Sequence, residues 1–214
     1  MVSGVGVIDK AMAVLTAVES DPMALGDLVK HTGLSRATAH RLASALETHG
    51  LLRRDGGGRF TLGSRMLSLG RAAFDGWPLA AAAAPALEVL RDVTGESAQL
   101  YVRDGASRVC IASLESPHGL RTIVNTGETL PLDQGSGGRV LDGDIGPEGW
   151  LASVAERETG VASVSAPVLD RGGAVVAAVS VSGPIDRLTD DPGPFHGAAV
   201  VSAATRIAAE AGLA

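Results

Sequence analysis

The spacing of hydrophobic residues changes character along this chain. Through residue 93 apolar positions recur three and four apart, as on one face of a helix; from residue 98 they alternate, as along a strand. Val7, Ala11, Val14 and Val18, widened by Ile8 and Leu15, predict a first helix that Asp21-Pro22 ends. Leu25, Leu28 and Val29 predict a short second helix closing at Thr32-Gly33. Ala39, Leu42 and Leu46 predict a third, running from Ser35 to His49. Ser35 suits an N-cap, its hydroxyl able to accept from the N–H of Ala37 or Thr38, and Gly50 can close the helix. Leu51–Arg54 and Arg59–Leu62 read as strands around the turn Asp55-Gly56-Gly57-Gly58. Two helices across a glycine turn, followed by a basic hairpin, predict a winged helix-turn-helix.

A further helix is expected from Ser64 through Met66, Leu67, Leu69, Ala72 and Phe74, broken by Gly76-Trp77-Pro78. Another covers 79–93, with Pro85 either kinking it or marking its first stable turn. Alternation then predicts strands at Ala98–Arg103, Val109–Leu114 and Leu120–Val124, and a hairpin of Val161–Val168 with Val175–Ser182. A last helix spans roughly Phe195 to Ala211. Strands flanked by helices give an α+β class. Only 3% of the residues are aromatic, so Ala, Val and Leu must build the core.

The formal net charge of −6 argues against nucleic acid until its distribution is read. Residues 28–62 hold Lys30, Arg36, Arg41, Arg53, Arg54 and Arg59 against Glu47 and Asp55, a formal +4. The outer face of the third helix carries Arg36, Ala37, His40, Arg41 and Ser44, with Ser35 and Thr38 at its start, a small and donor-rich set suited to a DNA major groove. Arg53, Arg54 and Arg59 of the hairpin can reach phosphates. The plainer alternative for the helix is a solvated amphipathic face.

Catalytic constellations are poor. His118 and His196 are isolated, and Gly135-Ser-Gly-Gly138 lacks the Lys-Ser/Thr of a phosphate loop. Glu156 and Glu158 fit a solvated turn. No enzyme activity, cofactor or metal is expected. The single cysteine, Cys110, excludes an internal disulfide and fits a buried strand position. No apolar run is long enough for a membrane span, and no signal-peptide pattern opens the chain, so a cytoplasmic protein is expected.

Several stretches resemble the IclR family of bacterial transcription regulators: Gly4-Val-Gly-Val-Ile-Asp-Lys10, the segment from Gly33 to Gly50, Val93-Thr-Gly-Glu-Ser-Ala-Gln-Leu-Tyr101, Glu115-Ser-Pro-His-Gly-Leu-Arg121 and Val176-Ala-Ala-Val-Ser-Val-Ser-Gly-Pro184. Through Gly95–Tyr101 and Glu156–Pro167 the nearest likeness is to the actinobacterial NdgR-type regulators. The resemblance implies a winged helix-turn-helix domain at 1–63, a linker helix at 64–78 that helps to pair subunits, and an effector-binding domain at 79–214 built on a curved antiparallel sheet related to GAF and PAS sensors. It implies double-stranded operator DNA as partner, a homodimer or dimer of dimers, no membrane, and control of metabolic genes, amino-acid genes among them, by a small-molecule effector such as an amino acid or small carboxylate. Effector contacts are implied at Leu120, Thr122 and Ile123, at Ser136 and Gly137 in a turn formed by Gly135–Gly138, and at Ser163, Ser180 and Ser182. Ser180 and Ser182 lie two apart on a strand, so both hydroxyls point the same way, into a pocket or onto a solvent face. The passage from Gly138 to Gly149 is shorter than in relatives, where helices cover one side of that pocket. The alternative is a sensor or interaction module of the same fold that has lost effector or DNA binding.

Overall fold

The computed structural model describes residues 5–214, with Phe74 and Asp75 described by their backbone alone. Gly4 of the amino-terminal motif and the side chain of Phe74 lie outside the described residues. The chain divides into two compact units, Met1–Gly76 and Trp77–Ala214.

The first unit comprises α1 (Gly6–Ala17), α2 (Leu25–Thr32), α3 (Arg36–Thr48), β1 (Leu52–Arg54), β2 (Phe60–Leu62) and α4 (Ser64–Asp75). Its second, third and fourth helices begin and end where the sequence predicts, while α1 stops at Ala17, short of the expected Val18 and of the stop at Asp21-Pro22. Gly33 ends α2 at φ +66°, a left-handed conformation that glycine adopts without strain. The Ser35 hydroxyl accepts from the Thr38 N–H at 3.3 Å, capping α3. Val14, Val18, Leu28, Leu42, Ala43 and Leu46 converge on Leu52 and Phe60 of the hairpin, so the wing shares the helices' core. Met23 fastens it further, exchanging backbone hydrogen bonds with Phe60 at 2.8 and 2.9 Å. On α1 the predicted stripe is buried only at its carboxyl end; Val7 and Ile8 stand exposed. On α4, Leu67 is 78% exposed and Leu69 is exposed as well.

The second unit comprises α5 (Pro78–Thr94), β3 (Ser97–Asp104), β4 (Ser107–Leu114), β5 (Thr129–Pro131), α6 (Gly135–Leu141), β6 (Leu151–Val154), β7 (Val161–Leu169), β8 (Val175–Pro184), α7 (Ile185–Leu188) and α8 (Gly193–Glu210). Its strands form an antiparallel sheet in the order β5-β4-β3-β8-β7-β6. The pairing register shifts at Leu100/Tyr101 and at Val168/Leu169, irregularities of the kind that add twist to a sheet. Strand parity sorts the two faces. Leu100, Val164, Val179 and Val181 point towards α5 and α8, into a core completed by Leu87, Leu90, Val200 and Ile207. Tyr101 and Ala178, of opposite parity, meet Leu132 and Val140 on the α6 side. Ser163, Ser165, Ser180 and Ser182 share that second parity. Pro85 lies inside α5 without ending it; it faces solvent, as does Ala81, whose carbonyl loses its partner on the wet side.

Two expectations need correction. Leu120–Val124 is not a strand. The outer edge of β4 is taken instead by the following segment: Cys110 N–H donates to Glu128 O (3.0 Å), Gly127 N–H to Cys110 O (2.7 Å), and β5 continues the ladder. Leu120–Val124 is held by side chains, with Ser97 Oγ donating to Thr122 O at 2.7 Å and Arg187 to Leu120 O at 2.8 Å. Gly135–Gly138 is not a turn but the start of α6. A side chain on Gly138 would overlap the Leu132 carbonyl, so its glycine is spent on close packing. The strand β6 and the short α7 have no counterpart in the sequence reading.

Candidate nucleic-acid interface and effector cavity

On α3, burial of Ala39, Leu42, Ala43 and Leu46 turns Arg36, Ala37, His40 and Arg41 outward; all four are exposed, while Thr38 and Ser44 are half-buried. Among the described residues no carboxylate stands within ion-pair distance of Arg36, Arg41 or Arg53. The other two hairpin arginines are engaged. Arg54 lies 4.1 Å over the Phe60 ring and donates to Glu47 Oε2 (3.3 Å) and Gly58 O (3.2 Å). Arg59 pairs with Asp55 at 2.7 Å. The Asp55 carboxylate also accepts the N–H groups of Gly57 and Arg59, each at 2.9 Å. These bonds, that from the Arg59 backbone foremost, hold its pKa below the ordinary 3.8. Of the three wing arginines, Arg53 is the one without an acidic partner among the described residues.

In the second unit the hydroxyl face of the sheet meets α6. Ser136 Oγ lies 2.7 Å from Ser163 Oγ and 2.8 Å from Ser165 Oγ, and Ser165 donates to Ser180 at 2.8 Å. Ser153 Oγ accepts the Ser136 N–H at 3.0 Å and lies 3.0 Å from Ser163 Oγ. Ser182 donates to Gln99 Oε1 at 3.1 Å. Ser163, Ser180, Ser182 and Gly137 line a cavity of about 20 Å³, with Tyr101, Arg108, Ser153 and Arg157. Ser180 and Ser182 therefore face the interior, not bulk solvent. Leu120, Thr122 and Ile123 do not join them; they line a wider groove of about 500 Å³ with Gly160, Pro184 and Ile185. The single pocket implied by the resemblance is thus divided, because Leu120–Ile123 runs as a loop outside the sheet instead of adding a strand to it. Val161 borders both spaces.

The sequence reading missed Arg108, Arg157, Tyr101 and Gln99. Gln99 and Tyr101 share the serines' parity on neighbouring strands, a signal available once β3 and β8 are paired. Arg108 is 3% exposed. Its guanidinium stacks 5.2 Å over Tyr101 and donates to Pro131 O (2.8 Å) and Gln134 O (2.5 Å). Burial lowers its pKa and raises those of the Tyr101 hydroxyl and of Cys110, the latter pushed up to about 12. Glu156, expected in a solvated turn, anchors α6, accepting from Gly135 N–H (3.2 Å) and Arg139 (2.9 Å). Among the described residues no three potential metal ligands cluster, and no helix is long and apolar enough to cross a membrane.

Residues 7–56 match the IclR helix-turn-helix domain. Residues 71–142 and 144–209 match the C-terminal domain of the bacterial transcriptional regulator IclR, the two parts meeting in the short passage between α6 and β6. The chain is similar to the HTH-type transcriptional regulator KipR of Bacillus subtilis, 28% identical and covering 95% of this chain and 96% of that one. That comparison extends over 239 residues, more than this chain's 214, so the relative carries segments absent here. It is also 28% identical to the glycerol operon regulatory protein of Streptomyces griseus, over 87% of this chain and 88% of the other. In fold it is similar to an IclR homologue from Microbacterium hydrocarbonoxydans crystallised with 4-hydroxybenzoate, with a TM-score of 0.77, 20% identity, and coverage of 95% and 99%. With both domains matched along nearly its whole length, the chain belongs to the IclR family of DNA-binding transcription regulators.

Proposed function

We propose that this regulator reads its operator with Arg36, Ala37, His40 and Arg41 of α3, positioned by the Ser35–Thr38 cap, while the wing holds the phosphate backbone. The observation that carries the reading is the unpaired, exposed Arg36 and Arg41 on a helix whose opposite face is buried. The working units are a DNA-binding domain at 1–63, a linker helix at 64–78 and an effector domain at 79–214. The exposed Leu67 and Leu69 of the linker helix support a homodimer or dimer of dimers, because one helix-turn-helix with few phosphate contacts binds weakly and two linked half-sites bind together. The motifs at Gly95–Tyr101 and Glu156–Pro167 support an NdgR-type member acting in the cytoplasm. Regulation of metabolic genes is supported by a relative named for the glycerol operon. An effector carrying a carboxylate is supported by the relative crystallised with 4-hydroxybenzoate.

One observation favours a second reading, a member that has lost its effector. A cavity of about 20 Å³ holds roughly one water, and the covering segment is short. Mobility shift on the protein's own upstream DNA at fixed salt, with and without amino acids and small carboxylates, separates the two. A sensor changes its operator affinity with one of them, and Ser180→Val with Ser182→Val abolishes that response while leaving DNA affinity intact. A DNA affinity that no compound alters supports the second reading, and no operator binding at all overturns both.

A further inference from the structure

Helix α6 cannot stand by its own sequence. Gly135, Gly137 and Gly138 are poor helix formers, and so short a helix does not persist unaided. Its first N–H groups have no partner inside the helix. Gly135 N–H goes to Glu156 Oε2 (3.2 Å) and Ser136 N–H to Ser153 Oγ (3.0 Å), so both are met from β6 and the turn after it. Glu156 also takes Arg139 of the last turn (2.9 Å), and Leu151 packs in one cluster with Val140 and Leu141. The remaining tie, Arg139 to Asp144 at 2.7 Å, is exposed and screened by water. The place of α6 is therefore set by β6. Yet β6 is a rim strand of four residues that pairs with β7 alone.

The opposite face of β6 supplies what its pairing lacks. Trp150 and Ala152, of the other parity from Leu151 and Ser153, pack towards the core that α8 shares. The Trp150 ring covers α8 at Gly193 and Gly197, one turn apart, and a Cβ on either glycine would overlap the ring. Neither glycine has a positive φ that would call for glycine on conformational grounds. Within a helix Gly197 is a cost relative to alanine, and the space it leaves is filled by indole. The short passage that Trp150 ends is also where the match to the family's C-terminal domain breaks. We propose that Trp150 is a latch: seated on Gly193 and Gly197, it fastens the rim strand β6 to α8 and, through Ser153 and Glu156, holds α6 in place. It is a positioning residue, acting through β6 whether or not an effector binds.

Two measurements on the full chain test the latch. The first is a double-mutant cycle in urea. Alanine ordinarily stabilises a helix interior relative to glycine, but with the ring seated Gly197→Ala should lower the unfolding midpoint. In the Trp150→Ala background, where the seat is vacant, the same substitution should raise it. The second is amide hydrogen exchange. In Trp150→Ala and in Gly197→Ala the Ser136 amide should exchange about tenfold faster or more, because the opening that exposes it releases the latch. Ile207→Val, a loss in the core of the same unit away from Trp150, is the control. It should speed exchange in the central β3–β8 pair and leave Ser136 at its original rate, because a local opening of α6 keeps Ile207 packed. If Trp150→Ala does not fold, Gly197→Ala, which adds a single methyl, carries both readouts. A Gly197→Ala that stabilises the otherwise unaltered chain overturns the latch. So does an equal loss from it in both backgrounds, an unchanged Ser136 rate in the latch variants, or a Ser136 rate that Ile207→Val raises as well.

Discussion

Two arginines of the wing and one of the second unit's sheet keep opposite company. In the wing, Arg54 and Arg59 sit beside Glu47 and Asp55, at 3.3 and 2.7 Å. In the second unit, Arg108 is far more deeply buried and among the described residues makes no ion pair, Asp133 acting on it only from a longer distance. The exposed pairs carry modest energy, since water and salt screen them, yet they fix the hairpin's shape and withdraw two cations from service. The buried guanidinium contributes no such shape-setting pair, and its charge remains to be satisfied. Counting arginines therefore misleads in both places: of three in the wing, one lacks an acidic partner among the described residues, while one in the sheet outweighs its number.

The contrast can be broken most directly by unfolding in urea. Arg187→Met strands Glu96, which is 3% exposed, and should cost about 3–5 kcal/mol. Arg108→Met strands no opposite charge and exchanges a desolvated cation for an apolar chain of similar length, so it should cost clearly less. The reverse order would mean that Arg108 is paired in solution. Next in size are the DNA contacts. Arg41→Ala should weaken operator binding by about 1–3 kcal/mol if it reads a base edge. Arg53→Ala should weaken all sequences alike and lower the salt slope by about 1, with Arg59→Ala doing less because Asp55 already holds it. Equal salt slopes for the two wing variants would erase the distinction between free and engaged arginines.

Within the hydroxyl network, Ser165→Ala should cost about 1–2 kcal/mol in urea, as it leaves Ser136 and Ser180 each short of a buried partner. The smallest effect concerns pH. Because Asp55 has its pKa lowered on folding, its contribution is complete above the ordinary value of 3.8 and fades as pH falls through the lower folded value. The Gly57 and Arg59 amides, followed by NMR, should lose their hydrogen-bonded shifts in that acidic window and not above it.

The first unit was legible because its information is local. Ser35, Gly33 and Gly50 act within a few residues of themselves, and the apolar period of α3 needs no partner to be read. The effector unit was legible in its strands and not in its site. Ser136, Ser165 and Ser180 come from three separate elements, and only the pairing of β7 with β8 and the close approach of α6 link them by hydrogen bonds. The alternation at Leu120–Val124 resembled a strand because its residues suit one; the edge it needed had been taken by residues 127–131. Arg108 could not be singled out, because nothing in its neighbours announces that a charged residue in a strand is buried without a counter-ion.

Both rims of the sheet are poor templates. The outer strand β5 ends in Pro131, which has no N–H to offer, and β6 runs for four residues before Ala155 turns the chain at φ +56°. Short rims, one of them closed by a proline, resist the edge-to-edge accretion that open sheets invite. Strand addition at either end of this sheet is thereby discouraged, which keeps its six strands from serving as the seed of a fibre.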